Sequence, residues 1–285
     1  MSISSIFPTL AMSRRLATLI VLVLTMAGPV AADDITDKFR RSTAGGTATI
    51  DHAPLNALLK AYLVTGADGV ARLDYPKLVG QQQAGLKSYI QAASKTDPTR
   101  LDRAEQMAFW INLYNAVTLD AVLARYPVAS INDVDIKLAD GSSGSGPWQA
   151  KLVQVSGVDL SLDDIENKIV RPLYKDPRAH YALNCLSVGC PNLRPVALTG
   201  SNIEAELEAA ARAYVNDPRG ISFAGGKVTA SSIYEWFVDD FGGFDGVVAH
   251  MTKYAADPLK AKLAAVKRFD AYAYDWALAD SGAKR

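Results

Sequence analysis

The sequence predicts a helix-rich α+β fold, a single domain with a small antiparallel sheet. Three observations lead there: apolar runs at helical spacing outnumber strand-like runs, the strand-like runs are only a few residues long, and strands and helices do not alternate regularly as a doubly wound fold requires. Apolar residues make up 49% of the 285, enough for a globular core. The formal net charge is zero and lysines and arginines are scattered, which argues against a nucleic-acid partner.

The first 32 residues read as a signal peptide. Ser13-Arg14-Arg15 is basic, 16–27 is almost wholly apolar, Gly28-Pro29 breaks the run, and Val30-Ala31-Ala32 offers the small residues that signal peptidase needs. Cleavage after Ala32 is expected, with a periplasmic or secreted product. No other run is long and apolar enough to cross a bilayer, so the cleaved chain is not expected to span a membrane.

Residues 33–52, polar with Ala44-Gly45-Gly46-Thr47, read as a flexible leader, and 53–280 as the folded domain. Helical spacing begins at 54–63, and Ala67-Asp68-Gly69-Val70 marks a turn. A second helix is expected over 75–93, ended by Asp97-Pro98. The strongest runs over 101–126 and is closed by Pro127; apolar residues nearly surround it, so burial is expected. Trp148 suggests that the Gly/Ser-rich loop before it packs down. Residues 152–155 resemble a strand, with Gly157 at a turn. Ser161 can cap a helix through Arg171, with Asp163 and Asp164 at its positive end and Pro172 as its limit. Residues 179–183 have a short strand pattern, and 203–215 a helical one. A hairpin is expected around Gly225-Gly226. Ser232-Ile233-Tyr234-Glu235 reads as a capping box opening a helix to Phe241, ended by Gly242-Gly243.

The chemistry concentrates in His180 to Pro191, which holds both cysteines of the chain and one of its three histidines. One reading is a thiol nucleophile: Cys185 attacks, His180 is the base, Glu166 orients the imidazole, and backbone N–H groups after Cys185 hold an oxyanion. On a regular strand, residues five apart point to opposite faces, so His180 and Cys185 meet only if the chain turns between them. The other reading is a structural Cys185–Cys190 disulfide, which export favours. A thiol–disulfide role is a third option, although C-x-x-C is its usual spacing. Zinc on His180, Cys185 and Cys190 is the weakest reading, because neither gap has a common ligand spacing.

Asn112 and Asn115 lie three apart on one helical face, with Glu105 nearly in line, and either hold a substrate amide or tie the helix to neighbouring backbone. Trp110, Tyr114, Trp236 and Phe237 read as core, His52 and His250 as solvated, Arg171 and Arg194 as surface ion pairs. No phosphate-cradling loop, serine elbow or metalloprotease helix appears, so no cofactor is expected.

Several segments together carry a resemblance. They are Phe109-Trp110-Ile111-Asn112-Leu113-Tyr114-Asn115, Leu160-Ser161-Leu162-Asp163-Asp164-Ile165-Glu166, His180 to Pro191, Ser232 to Phe237 running into Asp240-Phe241, and Tyr274-Asp275-Trp276. With these the chain resembles the DUF547 family over roughly residues 58–278, by inspection of the motifs. In that family a histidine often follows the Ile-Glu pair; here Asn167 stands there, so no histidine is expected to act at that point. The resemblance implies a fold rather than a reaction. Two functions therefore remain: an exported cysteine-dependent hydrolase or acyl transferase acting on an unidentified small molecule or peptide, or a non-enzymatic envelope or extracellular binding module with a structural disulfide.

Overall fold

The computed structural model describes residues 32–79, 83–138, 140–144 and 146–282, without the side chains of 32 and 33. The expected signal peptide therefore lies outside the described residues, apart from Ala32.

The helix foreseen over 101–126 organises the rest. It is α5 in chain order, Arg103–Leu123, capped by Asp102, whose carboxylate accepts the Glu105 N–H at 2.9 Å. Its N-terminal two-thirds lies in one apolar cluster and its C-terminal third in a second, so it is enclosed nearly all round. Its buried Gln106 is partnered: it donates to the Arg41 carbonyl at 2.7 Å and accepts from the Tyr174 hydroxyl at 2.9 Å.

Before it come α1 Ala32–Phe39, α2 Ala53–Tyr62, a hairpin of β1 Leu63–Thr65 and β2 Ala71–Leu73, α3 Tyr75–Leu78 and α4 Gln83–Ser94. The segment read as a flexible leader thus opens with a helix, and its Ile35 and Phe39 are buried in the first cluster. Polar composition hid two apolar residues four apart, enough to anchor one amphipathic turn.

After it, β3 Val153–Val155 and β4 Val158–Leu160 form the expected hairpin. A helix then runs to Tyr174, but its turns at Asp164–Val170 are π-helical, and α6 Arg171–Tyr174 completes it. Pro172 lies inside this helix rather than at its limit. Having no N–H, proline cannot bond the carbonyl four residues back. That carbonyl, of Lys168, accepts instead from the Thr36 hydroxyl of α1 at 2.6 Å. At the start of the helix, Ser161 and Asp164 close a reciprocal cap, as the sequence suggests: Ser161 Oγ accepts the Asp164 N–H at 3.1 Å and Asp164 accepts the Ser161 N–H at 2.9 Å.

The predicted strand over 179–183 is a 3₁₀ helix, Pro177–Tyr181, capped by Asp176, which accepts the Arg178 N–H at 2.9 Å. Proline after aspartate outweighed the apolar alternation. The chain continues through α7 Ile203–Val215, the hairpin β5 Ile221–Ala224 and β6 Lys227–Ser231, α8 Ile233–Trp236, a 3₁₀ turn Val238–Phe241, α9 Gly243–Tyr254, α10 Asp257–Leu263 and β7 Ala271–Ala273. The capping box at Ser232 is not made: its side chain forms no cap, and the Ser231 hydroxyl faces the Ile233 N–H at 3.3 Å.

The described elements belong to one compact unit. The helix-rich α+β class is borne out, with three small sheets in place of one. The largest has order β5-β6-β7, and its β6–β7 pair is parallel, Thr229 opposite Ala271. The residues around His180 reach all three apolar clusters: Ala179, Ala182 and Leu183 enter the first, Leu186 the second and Tyr181 the third. The cysteine segment is therefore fixed where the cores meet.

Candidate active site

A cavity of about 190 Å³ opens beside that segment. Every group of residues that carried the family resemblance contributes to its wall: Tyr114 from α5, Asp163 and Glu166 from the wide helix, His180, Cys185 and Cys190, Trp236 and Phe237, and Tyr274 and Trp276.

Cys185 is held from both sides. Asn115 donates to the Ala182 carbonyl at 2.9 Å and accepts the Asn184 N–H at 2.8 Å. Asn184 donates to the Pro191 carbonyl at 2.6 Å and accepts the Leu186 N–H at 2.8 Å, closing the loop around both cysteines. Leu186 has φ 62°, a left-handed conformation unfavourable for a leucine. Such strain next to a candidate nucleophile is a feature of functional sites. Behind the loop runs 275–278: the Val188 N–H donates to the Ala277 carbonyl and the Gly189 N–H to the Asp275 carbonyl, each at 2.8 Å. A Cβ on Gly189 would stand 2.6 Å from the Asp275 nitrogen, so this approach needs glycine.

The cysteines are unbonded thiols with sulfurs 2.9 Å apart. The Tyr274 hydroxyl lies 2.9 Å from the Cys185 sulfur, and the Cys185 N–H donates to the Cys190 sulfur at 3.1 Å. Ser187, two residues on, also favours the charged sulfur, although its buried hydroxyl makes no hydrogen bond of standard geometry. Burial pushes the Cys185 thiol up, yet the donors Cys190, Ser187 and Tyr274 together outweigh burial and bring it below its ordinary value. Burial, together with the neighbouring Cys185 charge, pushes Cys190 well above. Cys185 is thus the more acidic thiol of the pair.

His180 is 4% exposed and stacks on Phe237 with ring centroids 4.0 Å apart. Its Nε2 lies 2.8 Å from Asp240 Oδ2, and its Nδ1 lies 3.9 Å from Glu166 Oε1. Burial lowers the imidazole pKa, against the pull of Asp240. Arg171 also donates to Asp240, at 2.6 Å, so it is a bridging ion pair rather than a surface one. Burial favours protonation of Asp240, but His180 and Arg171 overcome it and keep the group a carboxylate. Glu166 accepts from the Tyr114 hydroxyl at 3.3 Å, and burial raises its carboxyl to about 7 against the opposing charge of Arg171.

The structure therefore gathers Cys185, His180 and Glu166 around one cavity, with roles that differ from those expected. Asp240 holds the imidazole, the task assigned to Glu166 from the sequence. No hydrogen bond joins His180 to Cys185; the thiol's partners are Cys190 and Tyr274. The backbone N–H groups expected to hold an oxyanion are mostly committed to the loop and to 275–278.

The two asparagines take the structural option. Asn112 donates to the Leu198 carbonyl at 2.7 Å and accepts its N–H at 3.0 Å, and Asn115 clamps the cysteine segment, so both amides are engaged with backbone. They border a crevice of about 20 Å³, separate from the cysteine cavity. His52, read as solvated, is 5% exposed, with Nδ1 2.8 Å from the Tyr89 hydroxyl. His250 is half-buried against Tyr181, Phe241 and Tyr254. Trp236, read as core, is 45% exposed on the cavity wall. Asp240, Tyr274 and Trp276 escaped the chemical reading, although they stand in segments that carried the resemblance.

Among the described residues no group of three or more His, Cys, Asp or Glu could hold a metal ion, and no helix is long and apolar enough to cross a membrane. No curated protein and no solved structure matches the chain. The model of the family described as "Protein of unknown function, DUF547" matches residues 98–215, which bears out the resemblance over that span; the cavity's Tyr114, Glu166, His180 and both cysteines lie within it.

Proposed function

We propose that the protein is a cysteine-dependent hydrolase or acyl transferase with Cys185 as nucleophile. The observation that carries this reading is a thiol in contact with the Cys190 thiol and the Tyr274 hydroxyl on the wall of a cavity that also holds a carboxyl poised near neutrality. The Cys185 thiolate attacks the carbonyl carbon of an ester or amide, and the Tyr274 hydroxyl donates to the developing oxyanion. Glu166 in its acid form protonates the departing alcohol or amine as its bond to the acyl carbon breaks. A thioester to Cys185 remains. Glu166, now a carboxylate, takes a proton from water or another acceptor, which attacks the thioester and releases the thiolate. His180 and Asp240 fix the charge beside Glu166.

Incubation with p-nitrophenyl acetate, followed by peptide mass spectrometry, should find a single acetyl group on Cys185, absent from Cys185→Ser. An unmodified Cys185 in protein whose thiols are titratable would refute the nucleophile. The 2.9 Å between the sulfurs also favours a second reading, a binding module in which Cys185 and Cys190 are joined. Thiol counting without reductant separates the two: two thiols support the enzyme, none the bridged module. In either reading we propose an exported protein, on the strength of residues 13–32. N-terminal sequencing of the exported form should begin at Asp33, and recovery of the full-length chain from the cytosol alone would reject export.

A further inference from the structure

We propose that this cavity binds an organic ammonium group carried on an aromatic or aliphatic stem; the inference concerns the site proposed above but is argued from its walls rather than from the thiol.

The apolar wall is aromatic. Trp236 and Trp276 stack with centroids 5.5 Å apart, Tyr274 lies 4.7 Å from Trp276 and 5.0 Å from Trp236, and Trp148 meets Trp276 edge-on at 6.4 Å. A continuous group of electron-rich faces, with Trp236 45% exposed, suits a flat or apolar stem and attracts a cation.

The polar wall is acidic, and its cations stand behind it rather than in it. Asp163 and Glu166 face the cavity, and no lysine or arginine is among its described lining residues. The nearby cations are engaged elsewhere: Lys151 and Lys168 pair with Asp164, and Arg171 with Asp240. The Asp163 carboxylate has no side-chain donor, whereas its neighbour Asp164 has two lysines and the Ser161 cap. Burial raises both carboxyls, the Asp164 charge adds to the rise at Asp163, and the Asp163 charge adds to the rise at Glu166. An ammonium ion is attracted by the unpaired Asp163 carboxylate, whereas a carboxylate or phosphate is repelled by it. The thiolate of Cys185 adds to the same negative field.

The test uses the full chain as Cys185→Ser, so that binding is read apart from any reaction of the thiol. Three of the four tryptophans line the cavity, so intrinsic fluorescence reports occupancy. The probes are benzylamine, benzyl alcohol and benzoate, which share a ring and differ in charge. Benzylamine should give a saturable change at least tenfold tighter than benzyl alcohol, and benzoate should give none. Asp163→Asn should reduce benzylamine to the affinity of the alcohol, with an unchanged circular dichroism spectrum showing that it folds. Trp236→Leu, at an exposed position, should weaken both amine and alcohol. Equal binding of amine and alcohol, binding of benzoate, absence of saturation with all three, or an unaltered amine affinity in Asp163→Asn would each overturn the proposal. Acetylation of Cys185 in the wild-type chain is a separate readout, so a nucleophile without an ammonium site and an ammonium site without a nucleophile give different results.

Discussion

Two buried histidines of this chain have similar surroundings and opposite situations. His52 lies 3.7 Å from Glu105 and His180 lies 3.9 Å from Glu166, and each faces a tyrosine-rich or aromatic neighbour. Around His52 the groups close on one another and on backbone: Tyr89 on the imidazole, Asn112 on Leu198, Glu105 on the Gly200 N–H. No cavity reaches the imidazole. Around His180 the carboxyl of Glu166 and the thiol of Cys185 stand on a cavity wall. A histidine–carboxylate pair is therefore not a sign of chemistry in itself. What separates the two is whether reactive groups remain beside space that a ligand can enter.

The sharpest way to break this contrast is to remove one residue from each cluster. Cys185→Ser should abolish acetyl labelling entirely. His52→Ala should cost about 1–3 kcal/mol of stability, by leaving the Tyr89 hydroxyl without its buried partner, while labelling of the folded fraction stays unchanged. If the two variants label alike, the distinction between the clusters fails.

Next in size is the pH response of Glu166. Its folded carboxyl titrates at about 7 against an ordinary 4.5, so the folded state holds the proton more tightly. Stability at this position is fully present below about 4.5 and is lost as pH rises through about 7, by up to about 3 kcal/mol. Glu166→Gln mimics the protonated acid and should remove that loss. Denaturation midpoints of variant and wild type should converge at acid pH and separate in the variant's favour by pH 8, while acyl transfer falls. Parallel curves at all pH values would mean that Glu166 is an ordinary solvated carboxylate.

The asparagines sharpen the comparison further. Asn112→Leu and Asn115→Leu should each cost about 1–3 kcal/mol, because backbone groups lose buried partners. Only Asn115→Leu should also slow labelling of Cys185, since Asn115 alone clamps Ala182 and Asn184. The smallest effect is expected at Ser232: Ser232→Ala should change stability by less than about 0.5 kcal/mol, since the side chain makes no cap.

Local rules were legible wherever short-range physics decides. Pro127 and the apolar encirclement over 101–126 marked the central helix, and Gly225-Gly226 marked the hairpin turn. They misled where long-range partners decide. The alternation over 179–183 was overruled by Asp176-Pro177, and the Lys168 carbonyl within the π-helical turns takes its donor from Thr36, more than a hundred residues away. For the site, residue type pointed to Cys185, His180 and Glu166, because soft nucleophiles and imidazoles are rare here. It could not assign their roles. Asp240 and Tyr274 are 55 and 89 residues from Cys185, and an aspartate or tyrosine announces nothing until the fold brings it to an imidazole or a sulfur.

The spread of the cavity's walls along the chain governs how the gene can be cut. An expression fragment bounded at residues 98 and 215 would encode the thiol, the imidazole and Glu166. It would omit the carboxylate that holds the imidazole, the hydroxyl beside the sulfur, and the 275–278 segment that backs the loop. Such a fragment would also lack α1, and with it the hydroxyl that stands in for the N–H missing at Pro172. The span that the family model matches and the span that assembles this cavity are thus different lengths of chain.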